Sequence, residues 1–228
     1  SRHLYEFKDE YANMPVDVQK DEEKGLYYVQ KEKKRLYFRK STPAKKIQKY
    51  YRALSMEQDR RSPHHYFNSV KEVTGKVFVD VGCAEGYSSL EIIEEAKHVY
   101  LFEQDEQWLE AIRATFEPWQ DKVTIVQKYV SDHNSSREQT LDDFFNNQTN
   151  EHLFLKMDIE GAERHALAGC NNLFQNCQKL DFAICTYHLR DDEEVISAFL
   201  DKHNCTYINQ KGFFRHKIRS VVMRGSKK

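Results

Sequence analysis

The chain has 228 residues, 39% of them hydrophobic and 31% charged, with a net charge of −1; that is enough apolar material for one α/β domain plus an extension. No apolar run approaches the roughly 18 residues a membrane span needs, and no signal-peptide pattern opens the chain, so a cytoplasmic protein without a membrane span is expected. Five cysteines (Cys83, Cys170, Cys177, Cys185 and Cys205) are an odd number without a C-x-x-C pair, which argues against a disulfide framework or a zinc site and for reduced thiols used as small core residues.

Residues 1–23 are polar and acidic without a period, and read as loosely structured. The runs G-L-Y-Y-V-Q and R-L-Y-F-R-K flank a charged turn, K-E-K-K, which is the pattern of a β-hairpin. Thr42 and Pro43 read as cap and first residue of a helix to about Met56, with Ile47, Tyr50, Tyr51 and Leu54 on one side. Between Lys24 and Arg52 stand eleven Lys or Arg and one acid, Glu32, so this stretch carries +10 and the remainder −11. Such asymmetry speaks to partners and not to fold. Residues 58–66 are turn-like, and His64, His65 and Tyr66 lie just before the next strand, where a lid could position an acceptor. These features set off a basic, aromatic N-terminal extension, 1–75, from a second expected domain, 76–228, whose motifs below mark it as the cofactor-binding catalytic one.

From Lys76 the pattern alternates strand and helix in the doubly wound manner. K-V-F-V-D-V-G-C-A-E-G is a short apolar run stopped by turn residues, as in a buried parallel strand. A helix follows to about residue 96. Further strands are expected at 98–103, 122–127, 152–158 and 180–187. Helices are expected at 106–116, with Trp108, Ala111, Ile112, Thr115 and Phe116 inward, from 158 to about 175, and at 191–203, burying Val195, Ile196, Phe199 and Leu200. Residues 141–145 read as a short helical turn. Two closing strands, 205–210 and 218–224, flank K-G-F-F-R as their turn.

The spacing D-x-G-x-x-x-G differs from the G-x-G-x-x-G that cradles a dinucleotide pyrophosphate. An acid at the strand end, Asp80, would repel a diphosphate and attract an ammonium or sulfonium. Glu103 lies 21 residues after Gly82, close to the ~20-residue offset at which an acid meets ribose hydroxyls. Cationic headgroup plus ribose points to S-adenosylmethionine.

V-D-V-G-C-A-E-G, Y-L-F-E, Y-V-S-D, T-L-D-D-F and above all F-L-K-M-D-I-E-G-A-E resemble the FkbM-type family of class I S-adenosylmethionine-dependent methyltransferases, over about residues 77–224. The resemblance implies a Rossmann-like α/β fold, a mostly parallel seven-stranded sheet with an antiparallel C-terminal hairpin, here preceded by the hairpin and helix of the extension. It also implies methyl transfer, typically to oxygen, on a sugar or other small molecule. On that basis Gly82 and Gly86 cradle the methionine part of the cofactor, Asp80 faces its ammonium, Glu103 binds the ribose, and Ser131 and Asp132 fall at the adenine. Candidates for a general base stand at strand ends: Asp158, Glu160 and His188. Asp158 or Glu160 could instead cap the following helix. Two carboxylates are too few for a hard cation, so no metal is expected.

The +10 segment is expected to wall the acceptor site and to recognise an anionic, phosphorylated or nucleotide-linked acceptor, with Lys33, Lys34 and Arg35 raising its KM when neutralised. Two alternatives remain: nucleic-acid methylation, with that segment tracking phosphates, and a cofactor-binding regulatory module without turnover.

Overall fold

In the computed structural model, residues 3–4, 6–146, 151–214 and 217–227 are described. Val18–Asp21 (β1), Leu26–Lys31 (β2) and Lys34–Tyr37 (β3) form a small antiparallel sheet. Its β2–β3 half is the expected hairpin. The stretch expected to be loose instead holds a helix, Lys8–Ala12, and β1. Strand β1 is half-exposed and lacks alternation, because pairing with β2 (Val18 opposite Val29) holds it and not burial. The Asp21 carboxylate shapes the turn by accepting from the Glu23 and Lys24 amides at 3.2 and 3.1 Å, and Gly25 takes φ +66°. Helix α1, Ala44–Glu57, begins one residue later than read, with Pro43 at its N-cap and no side-chain cap.

The main sheet uses Val77–Val81 (β4), His98–Phe102 (β5), Val123–Val126 (β6), His152–Met157 (β7), Lys179–Cys185 (β8), Thr206–Phe214 (β9) and Lys217–Lys227 (β10). Their order is β9-β10-β8-β7-β4-β5-β6, with the two-residue strand His3–Leu4 on the β9 edge. Strands β8, β7, β4, β5 and β6 run parallel; β10 is antiparallel to β8, and β9 to β10. The mixed seven-stranded sheet with its C-terminal hairpin is the one expected. From β4 the chain winds outward to β5 and β6, then returns to β7 on the other flank. The carboxyl ends of β4 and β7 therefore bound a topological switch point, where open α/β sheets take their ligands.

Both faces of the sheet are covered, and all five β4 residues are buried. Val77, Val79 and Val81 point into one core with Leu155, Leu167, Phe174 and Ile196. Phe78 points into the other, with Ile112, Phe116, Phe154 and the extension's Leu36, Phe38 and Ile47. The extension thus shares a core with helices Tyr87–Ile92 (α2) and Glu106–Phe116 (α3).

Three further expectations change. The helix after β7 is two, Glu163–Ala168 (α4) and Asn171–Asn176 (α5), because the chain breaks at Gly169, where a Cβ would stand 2.1 Å from the Ser131 carbonyl oxygen. On Asp192–Lys202 (α6), Ile196 and Leu200 are buried while Val195 faces solvent. Most of K-G-F-F-R is strand, since β9 continues past a bulge at Gln210/Lys211 to Phe214; the expected turn's last residue, Arg215, lies outside the described residues.

Candidate active site

Residues 82–86 leave β4 in a turn with Gly82 at φ +78°, Ala84 at +46° and Gly86 at +79°. A Cβ on Gly82 would lie 2.1 Å from the Asp158 carbonyl oxygen, and one on Gly86 2.7 Å from the Phe116 ring. The glycines are required by the chain itself, as well as by any ligand beyond them. The Gly82 contact also ties the loop after β4 to the loop after β7 at the switch point.

Around these loops opens a cavity of about 1050 Å³, at the upper end of the range for small-molecule sites. Glu103, one residue beyond β5, lines it, its oxygens accepting from the Ala84 amide at 3.0 Å and the Asp105 amide at 2.8 Å. A carboxylate has about four lone-pair sites, so two remain for a ligand's hydroxyls. Ser131 and Asp132 line the same flank; Asp132 contacts His133 at 2.8 Å and His165 at 3.6 Å.

Asp80 is 1% exposed and lies opposite Lys156 in the β4–β7 register. Its Oδ1 meets Lys156 Nζ at 2.8 Å, and its Oδ2 accepts from the Ser89 hydroxyl at 2.6 Å. Lys156 also donates to the Gly82 carbonyl at 2.7 Å and stands over the Tyr66 ring. Burial works against the Lys156 charge, but Asp80 and Asp158 outweigh it and raise the ammonium's pKa. The Asp80 carboxylate is therefore matched from within the chain. Lys156 was not singled out from the sequence, although a lysine inside a buried strand is itself a signal.

Glu85 was missed as well. It is 4% exposed on the cavity wall, with Tyr50 OH donating to its Oε2 at 2.8 Å. Burial pushes its pKa up to about 7.

The second centre is Asp158, one residue beyond β7. The Tyr66 hydroxyl donates to its Oδ2 at 2.7 Å; His64 Nε2 lies 3.7 Å from the same oxygen, and His188 Nε2 3.4 Å from Oδ1. Burial would raise its pKa, but His64, Lys156, His188 and the Tyr66 hydrogen bond together hold it below the ordinary carboxylate value. Asp158 and Tyr66 both line the cavity.

His188 does not reach the cavity wall and packs behind Asp158. Its Nδ1 is 2.9 Å from Glu163 Oε1; burial opposes its charge, yet Glu163 and Asp158 lift its pKa above the usual value. Glu163, fully buried, accepts from the Ile159 and Gly161 amides at 2.8 and 3.0 Å and so fixes the loop. Neither Asp158 nor Glu160 caps α4, whose N-cap is Ala162. Glu160 sits at φ +57° with its side chain 93% exposed at the mouth, 3.6 Å from His188. His65 turns away, to Asn68 and Arg224, each at 2.9 Å.

Two triplets, His64–Asp158–Cys185 and Asp158–Glu163–His188, have donor types that suit a metal. Glu163 already receives two amides, and burial keeps the Cys185 thiol protonated by raising its pKa.

The basic segment is placed differently from expectation. Lys33 is exposed, Lys34 donates to the Leu90 carbonyl at 2.8 Å near the end of α2, and Arg35 contacts Asp21 at 3.4 Å. Lys24 and Lys31 pair with Glu117 and Glu91 at 2.8 and 2.6 Å. From the whole run only Arg39 and Tyr50 reach the cavity wall, and Arg39 is bound to Asp105 at 2.9 Å. Among the described residues nine carboxylates line the cavity against three fixed cations, Arg39, Lys128 and Lys156. The wall is acidic.

Residues 81–208 match the Methyltransferase FkbM domain, which is more than half of the chain. The chain belongs to the FkbM methyltransferase family. Among solved structures it is similar to methyltransferase FkbM from Methylobacillus flagellatus KT, with 17% identity over 81% of this chain and a TM-score of 0.53. The chain spans 55% of that protein's length. It is also similar to magnesium protoporphyrin IX methyltransferase from Synechocystis PCC 6803, solved with bound SAM, with 13% identity over 82% of this chain and 86% of that one, at a TM-score of 0.52. At these identities the likeness is one of fold. No curated protein sequence matches the chain. The FkbM methyltransferase family uses S-adenosylmethionine, and the residues present fit that group: a cavity at the switch point, the positive-φ turn of residues 82–86, and the half-used carboxylate of Glu103. Among the described residues no helix is long and apolar enough to cross a membrane.

Proposed function

We propose that this FkbM methyltransferase methylates a hydroxyl group of a carbohydrate or similar small molecule, with Asp158 receiving the hydroxyl. The observation that carries this reading is the contact between the two loops: the Asp158 backbone lies against Gly82, so an ionised carboxylate on the cavity wall stands beside the cofactor cradle. Glu103 would hold the ribose, and the turn of residues 82–86 the methionine end; Asp80 acts there through Lys156 and Ser89, whose contacts fix the strand end. Ser131 and Asp132 would meet the adenine.

When bound, S-adenosylmethionine supplies a methyl group on a sulfonium, whose loss leaves a neutral thioether. The protein's part is to hold the acceptor oxygen in line and to accept its proton. Alignment carries most of the acceleration, since effective molarities reach about 10⁵–10⁸ M. Proton acceptance adds about 10²–10⁴-fold. With its pKa held low, Asp158 is ionised at any working pH but a weak base. It orients the hydroxyl and takes the proton as the oxygen becomes acidic. Glu163 and His188 position it from behind. The acidic wall argues against a polyanion, so nucleic acid is the weaker reading.

Transfer from a donor with a ¹³C-labelled methyl group, followed by NMR of the product, tests the assignment. An O-methyl resonance is expected; an N- or C-methyl resonance contradicts a hydroxyl acceptor.

A further inference from the structure

The cavity has two flanks. Toward β5 and β6 stand Glu103, Ser131 and Asp132; toward β7 and β8 stand Asp158 and Tyr187, together with Glu57, His64 and Tyr66 from the segment that ends α1 and precedes β4. This second flank is built of rings and carboxylates. The His64 ring meets Tyr187 edge-on with centroids 5.1 Å apart and Tyr66 at 5.6 Å. Its Nδ1 is 3.7 Å from Glu57 and its Nε2 3.7 Å from Asp158, so the imidazole stands between two acids. Glu160 adds a third carboxylate at the mouth.

The fixed cations near this flank are already engaged. Lys156 holds Asp80 and the Gly82 carbonyl, and Arg39 holds Asp105 while lying over Trp108 at 4.0 Å. Lys33, Lys34 and Arg35 do not line the cavity. A phosphate brought here would face carboxylates, the nearby fixed cations among the described residues being already engaged. An ammonium would face opposite charge beside aromatic rings, and both kinds of group attract a cation.

We propose, resting on the reading of this cavity as the methyl-transfer site, that the acceptor is a hydroxyl compound carrying a protonated amine, such as an amino sugar or an amino alcohol. Glu57 binds its ammonium beside His64, Tyr66 and Tyr187, while Asp158 faces its hydroxyl. The +10 segment that the sequence offered as an anion trap instead serves the fold, through pairs such as Lys24–Glu117 and Lys31–Glu91.

The full chain, incubated with S-adenosylmethionine labelled in its methyl group and a small-molecule extract of the cells that make it, reads the acceptor's charge directly. Once unreacted donor, itself a cation, has been separated chromatographically, the proposal expects the labelled product to be retained by a cation exchanger at pH 5 and to pass an anion exchanger. Label held by the anion exchanger, or by neither, overturns it. With the purified acceptor, Glu57→Gln should raise the acceptor's KM about tenfold or more, with kcat within about twofold, as for loss of an interaction equal in ground and transition states. Calorimetry in parallel should find the variant's affinity for both S-adenosylmethionine and S-adenosylhomocysteine unchanged. If Glu57→Gln weakens the sulfonium form and spares the thioether, Glu57 serves the cofactor and the proposal fails. If the wild type binds neither, it is the methyl-transfer reading that fails.

Discussion

The loops that leave β4 and β7 start from neighbouring parallel strands, touch at Gly82 and Asp158, and both pass through positive φ. Their carboxylates are treated in opposite ways. In the first, Asp80 is matched by Lys156 and Ser89, and Glu85 has its pKa raised to about 7 by burial. In the second, Asp158 is held ionised on the cavity wall by His64, Lys156, His188 and Tyr66. On the proposed reading the first loop would rest a ligand and the second would handle a proton. One sheet topology supplies both, and the side chains behind each loop decide which it becomes.

The comparison breaks most visibly at Asp158. Replacing it with Asn keeps the shape and removes the charge; kcat should fall about 10²–10⁴-fold with cofactor affinity retained. Steady-state rates beside calorimetry check this, and an unchanged kcat would move proton handling elsewhere. At the first loop the expected effect is on stability. Lys156→Met leaves Asp80 buried without its partner, and breaking a buried pair from one side costs about 3–5 kcal/mol. Urea unfolding should show this loss, and the double variant Lys156→Met/Asp80→Asn should recover part of it.

Glu85 sharpens the comparison through pH. Its folded pKa is raised from 4.5 to about 7, so the folded state binds the extra proton between those values. Its contribution therefore falls as pH rises through this window and is fully unfavourable above about 7. At about 1.4 kcal/mol per unit the difference is on the order of 3 kcal/mol. Glu85→Gln should flatten the decline in stability from pH 5 to pH 8, with its largest gain at the high end. Thermal unfolding across that range measures it, and parallel curves for the two proteins would mean that Glu85 is ionised in the fold.

What the sequence revealed followed contact range. β4, β5 and the inward face of α3 come from contiguous patterns in which each residue's neighbours in the chain are also its neighbours in space. Asp80, Gly82, Gly86 and Glu103 belong to such stretches. The missed residues act through distant partners: Lys156 on Asp80, and Glu85 on Tyr50. Pairs made across a sheet or between layers leave no period to read. The basic run misled for the same reason, since its charge was visible while Glu91, Asp105 and Glu117, which meet Lys31, Arg39 and Lys24, lie far along the chain. Strand β1 escaped because pairing holds it in place of an apolar face.

Everything here depends on the cofactor resting at the switch point with its ribose on Glu103. Titration calorimetry of S-adenosylhomocysteine into the wild type and Glu103→Ala measures that directly. We expect saturable binding by the wild type at one site, and affinity at least about tenfold weaker in the variant, the loss that follows when two charge-assisted hydrogen bonds go. Equal affinity in the two proteins, or no binding by the wild type, would contradict the account.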